Sequence, residues 1–175
     1  MRLSVPRLGD DEIALRPPVS GDVDAITEAC QDPEIPRWTR VPSPYTRAHA
    51  VEFVERSART WEAGTDAPFV IVDAESGALL GAIGVHRFGG EDGGPEVGYW
   101  LAREARGRGL ATRALRLVVD WACRDLGVRL LLQADVHNAA SRRVAEKVQF
   151  RFVREAKAPP GCGDCETVAV YELSP

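Results

Sequence analysis

The chain has 175 residues, 45% of them hydrophobic and 27% charged, which suits one domain with one core and argues against disorder. It carries 22 Lys and Arg against 26 Asp and Glu, a net charge of −4, so the basic excess of a general nucleic-acid binder is missing. The opening MRLSVPRLGDDE has no run of signal-peptide length, and no window approaches the roughly 20 apolar residues of a membrane span; we expect no membrane partner and a cytoplasmic location.

Two further compositional features bear on chemistry. Lys147 and Lys157 are the only lysines, and the arginine bias with abundant Ala and Gly points to a GC-rich bacterial genome. Of four cysteines, Cys30 and Cys123 sit in apolar helical patterns, as small core residues do. Cys162 and Cys165 form Cys-Gly-Asp-Cys in a late loop. A structural zinc needs about four ligands and no second pair exists, so we expect no metal.

In chain order, Ile13–Arg16 reads as a short strand. Ser20 is placed to cap a helix through Cys30, with Asp22 and Asp24 in its first turn. Residues 32–45 contain Pro33, Pro36, Pro42 and Pro44 and cannot be one continuous helix. Trp38 and Tyr45 in that stretch either line a pocket or seal the core. A second helix is expected from Arg47 to Trp61. Strands follow at Phe69–Val72, Leu79–Phe88 and Glu96–Leu101, resembling an antiparallel meander. Ala111, Ala114, Leu115, Val118, Val119, Ala122 and Leu126 then form the stripe of an amphipathic helix, with Gly127 as its C-cap. A strand at Leu130–Val136, a helix from Asn138 and strands at Phe150–Ala156 and Thr167–Leu173 close the chain. The expected class is α+β.

The segment from Arg106 to Thr112 carries the first chemical signal. A helix N-terminus offers unpaired N–H groups and partial positive charge, and glycines before it let a phosphate reach the backbone. Gly107 and Gly109 supply that approach, and Arg106 and Arg108 add positive charge. A pyrophosphate fits. The Gly-Lys-Ser/Thr ending of a P-loop and the three-glycine Rossmann spacing are both absent.

The stretch from Glu96 to Thr112, EVGYWLAREARGRGLAT, closely resembles the cofactor motif of the GNAT N-acetyltransferases. Their pattern Gln/Arg-x-x-Gly-x-Gly/Ala is met by Arg106, Gly109 and Ala111. The stretch Asn138–Phe150, the opening Leu15-Arg16-Pro17 and Asp32-Pro33-Glu34 look like the RimJ/RimL branch, whose name-giving members acetylate N-termini of ribosomal proteins. The resemblance implies a single GNAT domain over 1–175: a mixed, mostly antiparallel sheet whose fourth and fifth strands splay apart, flanked by helices. It implies acetyl-CoA as co-substrate. The amides of Gly107, Arg108, Gly109, Leu110, Ala111 and Thr112 would cradle its pyrophosphate, and the backbone of Tyr99, Trp100 and Leu101 would meet its pantetheine arm. Asn138 would bond the cofactor, cap its helix, or do both.

The resemblance also implies direct attack by an amine, without an acyl-enzyme. Many relatives protonate the leaving thiolate with a tyrosine seven positions after the asparagine; that position is Ala145 here. Ser141 matches the serine that the RimJ/RimL branch offers instead. Glu96, in step with Gly98 and Trp100 on one strand face, is the first candidate base, and His86, whose side chain ordinarily titrates near neutrality, the second. Gln149 stands where the branch usually has glycine. The acceptor is an amine, either a protein N-terminus or a small molecule; the other reading is a non-catalytic acyl-CoA sensor. A homodimer is compatible with the branch, but no sequence feature demonstrates one. Specificity is expected in residues 32–45, 89–95 and 158–166.

Overall fold

The computed structural model describes residues 3–89, 94–162 and 165–175. Its strands are β1 (Leu8–Gly9), β2 (Ile13–Arg16), β3 (Ala67–Asp73), β4 (Leu79–His86), β5 (Glu96–Leu101), β6 (Leu130–Asp135), β7 (Arg151–Lys157) and β8 (Thr167–Leu173). The helices are α1 (Val23–Ala29), α2 (Glu34–Trp38), α3 (Arg47–Ala63), α4 (Leu110–Val119) and α5 (Ala139–Lys147). All eight strands form one sheet in the order β1-β2-β3-β4-β5-β6-β8-β7. Every neighbouring pair is antiparallel except β5–β6, which is parallel. The class is α+β, as the sequence suggested. The strands expected as fourth and fifth are β5 and β6 here, because the two-residue β1 precedes them.

Period-two alternation puts a different apolar set on each face of the sheet. On one face Phe69, Ile71, Ile83, Val85, Val97 and Leu132 pack against Leu110, Ala114, Leu115 and Val118 of α4 and Ala145 of α5. Trp61, Phe69 and Trp121 close that core, Phe69 edge-on to both tryptophans and the two tryptophans tilted, with ring centroids 5.1 to 6.0 Å apart. On the other face Val70 and Val72 pack against Val23, Ile26, Cys30, Ile35 and Ala50 from α1, α2 and α3. Burying one such Leu, Ile or Phe contributes about 1.5–3 kcal/mol, so both layers hold the sheet in place.

Several local expectations change. Ser20 does not cap a helix. It opens a short 3-10 turn, Ser20–Asp22, and Asp22 instead accepts the Val19 N–H at 2.8 Å while pairing with Arg16. Helix α1 therefore starts only at Val23. Residues 32–45 contain the short α2, and Tyr45 packs against His49 and the second core rather than opening a pocket. Helix α4 widens into a π-helical segment at Asp120–Asp125, which turns Trp121, Ala122 and Cys123 all inward; a strict 3.6-residue period cannot show that. Strand β4 ends at His86, two residues early.

Candidate functional site

Strands β5 and β6 pair only at Glu96–Leu131 and Val97–Leu132. Beyond Val97 they separate, while β5 stays paired to β4 along its whole length. The Ala102 N–H donates to the Leu80 carbonyl at 2.9 Å, and the Leu131 N–H donates to the Pro95 carbonyl at 2.8 Å. Since backbone groups alternate sides along a strand, these two bonds turn the N–H and C=O of Tyr99 and Leu101 into the gap. In a complete sheet those groups would meet a neighbouring strand. Here they line a slot whose polar edge suits an extended amide-bearing chain. The side chains divide: Tyr99 and Leu101 face the core under α4 and α5, and Trp100 joins the core under α1 to α3.

The slot opens at its wide end onto the turn before α4. Gly107 and Gly109 have φ of 74° and 77°, the left-handed region where a Cβ is costly. Gly109 is the N-cap of α4 and carries no side-chain cap, so the first N–H groups of the helix are free to meet an anion. Nothing lies within 4 Å of where a Cβ would sit on either glycine, so the turn is open. Leu110 and Ala111 send their side chains into the core and offer only backbone, while Thr112 is half-buried. Arg108 is exposed.

Arg106 does something the sequence did not suggest. Its Nε and Nη2 donate to the Leu101 carbonyl at 3.1 and 2.9 Å, and its Nη1 lies 2.8 Å from Asp32 Oδ2. The Asp32 side chain is 7% exposed; its Oδ1 also accepts from Arg103 Nη2 and from the Glu34 N–H, both at 3.2 Å. Burial pushes the Asp32 carboxyl up, but Arg103, the Glu34 amide and Arg106 outweigh it and hold it below the usual range. Arg106 therefore latches the turn to the end of β5 and to the start of α2, and its fixed charge is largely spent there.

At the narrow end, α5 supplies the polar groups. Asn138 caps it, its side chain accepting the Ser141 N–H at 3.0 Å. Ser141 Oγ lies 3.1 Å from the hydroxyl of Tyr99. Burial pushes the Tyr99 phenol up, with the Ser141 contact opposing, so Tyr99 stays a protonated donor. Ala145 is fully buried, so the position that carries a tyrosine in many relatives is core here.

The opposite face of the sheet carries a charged cluster. Glu96, 13% exposed, accepts from Arg87 Nη2 and, at 3.4 Å, from Gln133 Nε2; Arg40 Nη2 lies 3.5 Å from its other oxygen. His86 lies across from Glu96 on β4, and its Nδ1 is 3.2 Å from Asp66 Oδ1. Glu96 and His86 stand out in the sequence only separately, and Asp66, Arg40, Arg87 and Gln133 not at all, because no local pattern ties them together. Among the described residues no group of three or more His, Cys, Asp or Glu is placed to hold a metal ion, and no helix is long and apolar enough to cross a membrane.

This arrangement matches a known family. A model of the acetyltransferase (GNAT) domain fits residues 12–151. The chain belongs to the GNAT acetyltransferases. Over 86 residues, 49% of this chain and 46% of the relative, the enzyme is 36% identical to a Bacillus subtilis protein provisionally named ribosomal N-acetyltransferase YdaF. That match spans about half the relative's length. RimL, a ribosomal L7/L12 alpha-N-protein acetyltransferase, in its apo form superposes with a TM-score of 0.85 at 18% identity over 98% of this chain and 95% of that one. The Microcin C7 self immunity acetyltransferase MccE, in complex with acetyl-CoA and AMP, gives 0.84 at 19% identity over 95% and 94%. At such identities the likeness speaks to the fold.

Proposed function

We propose that residues 1–175 act as one cytoplasmic domain that transfers acetyl directly from acetyl-CoA to a primary amine, a protein N-terminus or a small molecule. The observation that carries this reading is the splay of β5 from β6. It leaves a slot of gap-facing backbone groups running from an uncapped helix N-terminus to a hydroxyl pair at Ser141 and Tyr99. Acetyl-CoA supplies an acetyl group activated as a thioester. The amides of Gly107 to Thr112 hold its pyrophosphate, and Arg106 keeps that turn against β5. The gap-facing backbone of Tyr99 and Leu101 aligns the arm. The Tyr99 N–H is placed to stabilise negative charge on the acyl oxygen, a contribution commonly worth about 3–4 kcal/mol. The Trp100 backbone faces β4 and not the gap, so contrary to expectation it does not meet the arm; its side chain anchors β5 to the opposite core.

Ser141 gives a proton to the departing sulfur and takes one in the same step from the Tyr99 hydroxyl, which regains it from solvent. Asn138 fixes the Ser141 backbone. Glu96 accepts from Arg87 and Gln133 on one oxygen and is ion-paired with Arg40 at 3.5 Å on the other, and these contacts compete with its use as a base. We read Glu96 first as the group that gathers Arg40 and Arg87 at the acceptor entrance. The YdaF and RimL names favour a peptide N-terminus as the acceptor to test first.

Mass-spectrometric detection of acetylated product tests the reading. Purified protein is incubated with acetyl-CoA and a panel of Ala- and Ser-starting peptides, aminoglycosides, polyamines and free amino acids. Product on any amine is expected. Acetyl-CoA binding without product across the panel overturns amine transfer in favour of an acyl-CoA sensor.

A further inference from the structure

Asp66 belongs to neither the cofactor turn nor the hydroxyl pair, yet its carboxylate is fully organised. Its Oδ1 accepts from the Arg87 N–H at 3.2 Å and contacts His86 Nδ1, while its Oδ2 accepts from the Thr65 hydroxyl at 3.1 Å. The hydrogen bond from His86 leads the effects that hold this carboxyl below its usual range, against the opposing effect of burial. An ionised carboxylate only accepts, so the His86–Asp66 contact requires Nδ1 to carry the proton. Neutral His86 is then the tautomer whose Nε2 bears a free lone pair.

The imidazole is folded back along its own strand over Gly84. A Cβ on Gly84 would stand 3.0 Å from His86 Nε2 and 3.1 Å from its Cε1, so glycine is what seats the ring there. Gly84 pairs with Gly98, the first β5 residue beyond the last β5–β6 pair, and a Cβ on Gly98 would meet nothing within 4 Å. Nε2 thus lies over a two-glycine floor beside the vertex of the gap. Arg87 follows His86 with a φ of 64°, which a non-glycine residue holds only at a cost, and its amide anchors Asp66.

We propose that His86 is the general base that takes the proton from the acceptor amine, and that Asp66 is the positioning residue that fixes its tautomer and orientation. This rests on the amine-transfer reading above. As the N–C bond forms and the C–S bond breaks, the amine proton passes to Nε2, the sulfur takes its proton from Ser141, and the imidazolium is stabilised by Asp66 before releasing its proton to water. The charged groups facing the ring are Asp66 from the turn before β3, Arg87 beside it and Glu96 across on β5, with Arg40 held at Glu96.

Imidazole nitrogen NMR of the full chain, with and without CoA, tests the seat independently of turnover. His86 is expected as the Nδ1–H tautomer. His49, whose Nδ1 accepts the Thr46 N–H at 3.1 Å, is the internal contrast and is expected as Nε2–H. Asp66→Ala should return His86 to Nε2–H. An Nε2–H signal for His86 in the wild type overturns the dyad. Kinetics use acetyl-CoA and a Ser-starting peptide amide. His86→Gln is expected to lower kcat about a hundredfold and abolish the acidic limb of the pH–rate profile, with the acetyl-CoA KM unchanged. Asp66→Ala should lower kcat about tenfold, with partial recovery in Asp66→Asn. If His86→Gln keeps that limb and Glu96→Gln loses it, the base is Glu96 and the proposal is wrong. A wild-type protein that acetylates no amine defeats the function reading alone, and the tautomer still decides the dyad.

Discussion

The two ends of the slot are built in opposite ways. The cofactor end, Leu101 to Thr112, is twelve consecutive residues whose working parts are backbone groups: two left-handed glycines, an uncapped helix start and the carbonyl of Leu101. The other end is assembled from side chains: the hydroxyls of Ser141 and Tyr99 under α5 and, on the opposite face, the cluster at positions 40, 66, 86, 87, 96 and 133 that we propose as the acceptor side. A backbone-made site is local, so it shows in sequence as glycine placement. A side-chain-made site is non-local, and its members look like ordinary surface charges until the sheet is known.

This contrast sets how each end should fail. Ser141→Ala removes the hydroxyl that Tyr99 meets, and it should lower turnover about a hundredfold while leaving acetyl-CoA affinity nearly intact. Single-turnover kinetics beside a calorimetric Kd separate the two quantities. Wild-type turnover in that variant would remove Ser141 as the proton donor. Gly109→Val should do the reverse. A β-branched residue at φ 77° strains the turn by about 1–3 kcal/mol, so acetyl-CoA binding should weaken roughly ten- to a hundredfold. Unchanged affinity by calorimetry would show that the cofactor does not depend on the shape of this turn.

Asp32 is where the contrast blurs. It lies just before α2, in the stretch expected to carry specificity, yet it holds Arg106 and through it the cofactor turn. Asp32→Asn should weaken acetyl-CoA binding about three- to tenfold, the ordinary size of coupling through a packed network. The acid response gives a second measurement. Because the folded carboxyl titrates below the ordinary aspartate value of 3.8, its contribution to stability is complete above that value. That contribution is lost as pH falls through the lowered folded value. In acid unfolding followed by circular dichroism, Asp32→Asn should therefore lose part of the wild type's stability above pH 4 and converge with it in stronger acid. Equal stability of the two proteins at pH 7 would mean the latch is ornamental.

The same division explains what was legible. The α+β class, the order of strands and the helix at Asn138 followed from period and punctuation, which are local. The Ser20 cap failed because the chain makes a 3-10 turn at Ser20–Asp22, held by Asp22 through the Val19 amide and Arg16, and that pairing depends on where β2 ends. The π-helical turn after α4 escaped because the bulk of Trp121, seated between Trp61 and Phe69, overrides an otherwise regular stripe. Arg106 was legible as a required residue but not in its role, since its partner Asp32 is distant in sequence.

Gln149 is the one local departure from the branch pattern that the structure explains. It has a φ of 69° after α5, with its N–H donating to the Glu146 carbonyl at 3.0 Å and the Phe150 N–H donating to that of Ala145 at 3.0 Å. These bonds terminate the helix through a left-handed residue, which is why glycine suits the position. A left-handed non-glycine residue costs about 1–2 kcal/mol, partly offset because glycine gains more freedom in the unfolded chain. Gln149→Gly should therefore stabilise the fold by about 0.5–1 kcal/mol, raising Tm by roughly 1–4 °C at this chain length. The side chain is exposed and the residue lies eight positions beyond Ser141, so kcat and acetyl-CoA affinity should stay at wild-type values. A stabilised variant with altered turnover would mean that the end of α5 moves during catalysis, and the division between backbone-made and side-chain-made ends would then extend to a third, mobile element.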